Sequence, residues 1–209
     1  MPIYDVVPLL AKNPSHIAAG RMNDYSLTEK DLLVVLALFQ EYKPRRILEF
    51  GVNEGSTASF LLENCPFIEL YVGVDLIPER FPMRGIVPKK AGWRVGDDPR
   101  YESVLTDETV EDFKRKIADY RAFDAIIMDA NHEDWATLRD TEACEPFLRS
   151  GGLLLWHDYG VESRQHSNGK PFSLIHYLNA LEASGRKIMF PNDQPRNPWE
   201  CVSIAWEVK

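Results

Sequence analysis

Arg46-Ile-Leu-Glu-Phe-Gly-Val-Asn-Glu-Gly-Ser-Thr57 is the stretch that decides the fold. A short apolar run from Arg46 to Phe50 carries an acid at Glu49 and passes directly into a turn with glycines at 51 and 55. A helical pattern follows from about Ser56. Strand, tight turn and helix N-terminus in this order form the usual cofactor crevice of an α/β sheet. The turn itself discriminates among cofactors. A dinucleotide turn needs G-x-G-x-x-G, and a phosphate loop needs G-x-x-x-x-G-K-[ST]. This turn has neither the middle glycine nor the lysine, and Glu49 and Glu54 would repel a phosphate. A ligand with a cationic end and no phosphate fits better.

Working outward, Leu70 to Asp75 is a second apolar run ending on an acid, as expected of a buried parallel strand. Phe123 to Met128 is a third, ending at Asp129, and Gly151 to Trp156 a fourth, ending at His157-Asp158. Helices are expected over Ser56 to Asn64, Thr106 to Tyr120, Glu133 to Leu148 (frayed by Pro146) and Pro171 to Ala183. Upstream, Thr28 and Asp31 have the spacing of a capping box, and Leu32 to Phe39 is apolar enough to demand a covered helix, which Pro44 closes. Between Leu76 and Arg100 four prolines interrupt the rhythm. A long loop with one short strand at Trp93 to Val95 is expected there, and it is a candidate lid. Lys187 to Phe190 reads as a short strand. Cys201 to Val208 alternates, which predicts an antiparallel, half-covered strand.

This alternation predicts an α/β, doubly wound, mostly parallel seven-stranded sheet with one antiparallel edge strand. Residues 1–25 read as an irregular N-terminal segment and 26–209 as one domain. The 209 residues are 44% hydrophobic, which argues against disorder. A net charge of −8 disfavours a nucleic-acid partner. No run reaches a membrane span, and no secretory signal is visible. Three widely spaced cysteines, Cys65, Cys144 and Cys201, read as reduced thiols, so a cytoplasmic location is expected. The apolar content of residues 1–40 points to a packing partner, such as a second copy.

Glu49-Phe-Gly51-Val-Asn-Glu-Gly55 resembles the first motif of class I S-adenosylmethionine (SAM) methyltransferases, an acid-x-Gly-x-x-x-Gly turn. The order of elements over residues 26 to 208 is similar to that family's fold. The resemblance implies that the methionine end of SAM lies over the turn. Glu49 would fix its ammonium, and Asn53 and Ser56 would hold its carboxylate with the free N–H groups of the helix start. Asp75 would take the ribose hydroxyls. Asp97, preferred over Asp98, would hold the adenine amino group, with Trp93 nearby as a stacking candidate.

Asp129-Ala-Asn131-His132 and Trp156-His157-Asp158-Tyr159 resemble the metal-assisted O-methyltransferases, including catechol-type and antibiotic-sugar enzymes, and a family of small bacterial methyltransferases. That implies Asp129, His157 and Asp158 as ligands of Mg or Mn, and His132 as general base with Asp129 catalytic. The expected acceptor is a small molecule or sugar hydroxyl. The alternatives are a metal-independent N- or C-methyltransferase and a non-catalytic SAM-binding module in a larger assembly. A dinucleotide oxidoreductase is disfavoured by the turn. Trp135 and Trp156 read as core residues, and His166 as part of a solvated loop.

Overall fold

The computed structural model describes residues 3–4, 27–77, 91–107, 109–120, 122–131, 133–158, 174–191 and 203–209. Its strands are β1 (Ile3–Tyr4), β2 (Arg46–Phe50), β3 (Leu70–Leu76), β4 (Tyr101–Thr106), β5 (Phe123–Met128), β6 (Leu148–Trp156), β7 (Phe190–Pro191) and β8 (Ala205–Val208). Its helices are α1 (Glu29–Tyr42), α2 (Ser56–Asn64), α3 (Val110–Ile117), α4 (Asp134–Cys144) and α5 (Leu174–Ala183).

The main sheet has the order β4-β3-β2-β5-β6-β8. Five strands are parallel, and β8 runs antiparallel to β6. The chain builds to one side of β2 and then crosses to the other, so the switch point lies between β2 and β5, where an open α/β sheet leaves a crevice at its carboxyl edge. Alternate residues divide between the two faces. Ile47, Tyr71, Ile127 and Leu155 pack with α1 and α2. Leu48, Val72, Ile126 and Leu154 pack with Phe113 and Ile117 of α3, Cys144 of α4 and Leu178 of α5. Strands buried on both faces must be apolar throughout, which is why they were legible as continuous runs.

The capping box of α1 is present: Thr28 Oγ1 accepts from Asp31 N at 3.2 Å, and Asp31 Oδ2 accepts from Thr28 N at 3.1 Å. Lys43 closes the helix in a left-handed conformation (φ 50°), ahead of Pro44. Leu32 and the run Val34 to Phe39 are buried within this chain. That apolar stretch is therefore no ground for expecting a second copy.

Three expectations are corrected. Trp93–Val95 is a 3₁₀ turn, not a strand. The strand in that region is β4, which begins at Tyr101, and α3 starts only at Val110, after its N-cap Thr109. As an edge strand β4 is only partly covered, so its own hydrophobicity is weak and its pairing with β3 defines it. Among the described residues the main sheet has six strands, Met189 bridges to Trp206, and β7 pairs in parallel with β1. Residues 203–207 are buried without alternation, because β8 is covered on both faces. Glu207 tolerates this by accepting from Arg186 Nε at 2.8 Å. The remainder of the N-terminal segment, residues 78–90 of the candidate lid, His132, His166, Cys201 and Val202 lie outside the described residues.

Leu154 is fully buried at the centre of β6. Leu154→Ala is expected to cost about 2–5 kcal/mol, measured by denaturant unfolding.

Candidate active site

Strand register brings the singled-out residues to one level. Phe50 pairs with Val74 on one side and with Met128 on the other, and Met128 pairs with Trp156. One residue further along these strands come Gly51, Asp75, Asp129 and His157. A parallel sheet in this register puts the polar ends of four strands around one crevice.

The turn is held by backbone conformations that few residues adopt. Gly51 has φ +96° and Gly55 φ +87°. A Cβ on Gly51 would lie 2.4 Å from the Ala130 Cα, and one on Gly55 would lie 2.8 Å from the Gly92 Cα. Asn53 is also left-handed (φ 47°), a conformation asparagine tolerates. It aims its N–H at Asp75 Oδ2, 2.5 Å away, while Leu76 N donates to Oδ1 at 2.7 Å. Burial raises the Asp75 pKa, with the backbone N–H groups opposing the shift. Helix α2 then begins on Gly55 with no side-chain cap and no acid in its first turn. Ser56 is buried there, and its Oγ has no hydrogen-bond partner. An uncapped helix start with an unsatisfied hydroxyl is suited to a carboxylate.

Glu49 is buried beneath the turn and accepts from Tyr71 OH at 3.0 Å. Burial, followed by the charge of Asp129, holds its carboxyl well above the usual range. Asp129 N donates to Phe50 O at 2.8 Å, and its Oδ1 lies 2.6 Å from His157 Nδ1. His157 is 6% exposed and has Asp31 Oδ2 at 3.4 Å and Asp158 Oδ1 at 3.6 Å from Nε2. Burial works against a charged ring, but the surrounding carboxylates outweigh it and hold the imidazole well above its usual range. Asp158 is buried in a left-handed conformation (φ 61°). A polar cavity of about 10 Å³, room for about one water, lies against His157, Asn131, Thr137 and Asp140.

Several assignments change. Asp97 is exposed on the segment leading into β4, before the strand begins and not at its carboxyl end. Its neighbour Asp98 is paired with Arg100 at 2.6 Å. The acid at the carboxyl end of β4 is Asp107, whose Oδ1 accepts from Thr109 N at 3.0 Å and Oγ1 at 2.7 Å. Sequence reading missed it by placing the strand too early. It also missed Asp31 as a neighbour of His157, and no local signal marks that contact. Trp135 is 53% exposed, not core, with the Arg139 guanidinium 5.4 Å from its ring. Trp156 is core, as expected.

The expected Mg or Mn donors Asp129, His157 and Asp158 are not assembled as a ligand set in this structure. His157 Nδ1 lies 2.6 Å from Asp129 Oδ1, and its Nε2 faces Asp31 and Asp158 at 3.4 and 3.6 Å. Among the described residues no group of three or more His, Cys, Asp or Glu side chains could hold a metal ion.

Gly51→Ala is expected to lose about 1–3 kcal/mol of stability and measurable SAM binding by calorimetry. Gly96→Ala, also at positive φ but with nothing within 4 Å of its Cβ, should keep SAM affinity. Glu49→Gln should be stabilising at neutral pH. The raised carboxyl pKa makes the wild-type contribution fully present below the ordinary value of 4.5 and lost as pH rises through the folded value. The melting-temperature gain of the variant should therefore grow from about pH 4 to about pH 8.

The family model described as "Methyltransferase domain" matches residues 48–159, more than half of the chain. No curated protein matches it in sequence at a significant level. Among solved structures, the O-methyltransferase TomG from Streptomyces achromogenes, in complex with SAM, is 16% identical with a TM-score of 0.64, over 90% of this chain and 82% of that one. The O-methyltransferase from Bacillus cereus, in complex with S-adenosylhomocysteine (SAH), is 15% identical with a TM-score of 0.61, over 98% and 90%. MycE of the mycinamycin biosynthetic pathway, with Mg, SAH and mycinamycin VI, is 18% identical with a TM-score of 0.59, over 99% of this chain and 54% of MycE. These are similarities of fold. With the family match over the strand ends just described, the chain belongs to the methyltransferase-domain family and is a class I SAM-dependent methyltransferase.

Proposed function

We propose that the enzyme transfers the SAM methyl group to a hydroxyl oxygen of a small molecule or sugar. The observation that carries this proposal is the convergence, around a turn that requires glycine, of the uncapped α2 start, Asp75 and Asp129. The methionine carboxylate meets Ser56 Oγ and the first N–H groups of α2. The ribose hydroxyls donate to Asp75, whose carboxylate is already oriented by the N–H groups of Asn53 and Leu76. The adenine end extends toward Asp107, in place of Asp97. The sulfonium lies toward Asp129.

Catalysis then rests on alignment, because SAM is already activated. An acceptor oxygen attacks the methyl carbon in line with the C–S bond. That bond breaks as the C–O bond forms, SAH leaves with the electron pair, and the hydroxyl proton passes to a base. His132, outside the described residues, is proposed as that base from its sequence position three residues after Asp129. The engagement of His157 with carboxylates favours transfer without a metal. Transfer to oxygen is favoured because TomG and the Bacillus cereus protein are named O-methyltransferases.

Incubation with methyl-labelled SAM and a panel of hydroxylated acceptors tests this reading, and turnover should persist in a chelator. Asp75→Ala should weaken SAM binding about tenfold or more. Asp129→Ala should abolish turnover while the variant still binds SAM. Label transferred only to amines, or equal behaviour of the two variants, would refute it.

A further inference from the structure

We propose that Arg94 is a positioning residue for the cofactor: it holds the Glu54 carboxylate away from the uncapped start of α2, so that the methionine carboxylate of SAM can occupy it. This role rests on the placement of SAM over the Gly51–Gly55 turn proposed above.

The 3₁₀ turn Trp93–Val95 is bound to the cofactor turn main chain to main chain. Gly92 N donates to Asn53 O at 2.8 Å, and Arg94 N donates to Glu54 O at 2.9 Å. The two segments come this close because glycines meet between them. Gly55 and Gly92 are both at positive φ, and a Cβ on Gly92 would collide with the Tyr101 hydroxyl. The backbone of residue 94 is thus fixed beside Glu54, and the two side chains also meet. Arg94 Nε donates to Glu54 Oε2 at 2.6 Å. The guanidinium carbon lies 4.7 Å from the centre of the Trp93 ring, a cation–π contact that gives the side chain a second anchor. That face of Trp93 is taken by Arg94 and is not open to adenine.

The Arg94 and Glu54 side chains are 22% and 33% exposed, so the ion pair adds little to folding. Its place in the fold gives it another use. Helix α2 begins at Ser56 with no side-chain cap bond and no acid in its first turn. The free N–H groups there carry partial positive charge and attract an anion. Glu54, next to the N-cap Gly55, is the acid nearest that helix start along the chain. Left unpaired, its carboxylate would compete for these N–H groups and repel an incoming carboxylate. Paired with Arg94, its charge is answered and its direction is set, and the helix start is kept for the ligand.

The test is calorimetry on the full-length protein with SAH and with 5′-methylthioadenosine, which keeps the adenosine and lacks the amino-acid end. Arg94→Gln should weaken SAH binding about fivefold, as much as a partly exposed ion pair can supply, and leave methylthioadenosine binding within about twofold of wild type. Adding Glu54→Gln to Arg94→Gln should restore SAH affinity, because the competing charge is gone. Arg94→Lys, which keeps the cation, should stay near wild type. Glu54→Gln alone, which leaves Arg94 untouched, should bind SAH at least as tightly as wild type. The Arg94→Gln defect should shrink at about 1 M salt, where the screening length falls to about 3 Å. An unchanged SAH affinity in Arg94→Gln, an equal loss of both ligands, no rescue by Glu54→Gln, or weaker SAH binding in Glu54→Gln alone would each overturn the proposal and leave the cofactor placement standing. If wild type bound methylthioadenosine as tightly as SAH, the placement of the methionine end at α2 would itself fall, and the role of Arg94 with it.

Discussion

The crevice depends on the close approach of two backbones, at Gly51 and at Asp129–Ala130. Any side chain at position 51 would collide with main-chain atoms, which cannot move without breaking the β2–β5 pairing. The packing requirement and the site requirement therefore coincide in one residue. Because Gly51 passes so close to the end of β5, Asp129 leaves its strand at the level of the turn. Asp75, still within β3, stands at the same level, where Gly51 N donates to Val74 O at 2.8 Å.

Crowding acids at one edge creates an electrostatic problem that the fold meets in different ways. Asp75 is fixed by backbone N–H groups. Glu49 sits in a dry layer with a tyrosine hydroxyl, where the neutral form is favoured. Asp129 is met by the buried His157 ring, whose Nδ1 lies 2.6 Å from its Oδ1. The three acids differ in their surroundings: one is held by N–H groups, one is buried against a hydroxyl and one against an imidazole. That distribution, more than the count of carboxylates, sets the character of the crevice.

Legibility followed burial. β2, β3, β5 and the inner part of β6 are covered on both faces, so their apolar runs named them without help from the fold. The glycine turn was readable because its φ values and its close contact admit almost no other residue. Where covering is partial, the pattern failed. β4 carries Glu102 and Ser103 and owes its conformation to β3, so the sequence pattern points instead to Trp93–Val95 as the strand and to Asp97 as the acid after it. Trp135 was placed in the core by its chemistry, but its helix turns it toward solvent.

The sequence by itself determined the alternation of strands and helices, the turn at Gly51 to Gly55 and the acids that end the strands. These are local consequences of periodicity, backbone sterics and the order of residues along one element. Only the tertiary structure decided which of these acids meet the same imidazole. Asp31 reads locally as a helix cap and His157 as a metal ligand. Their meeting is set by how α1 lies against the carboxyl edge of the sheet, and long-range packing of that kind leaves no trace in local spacing.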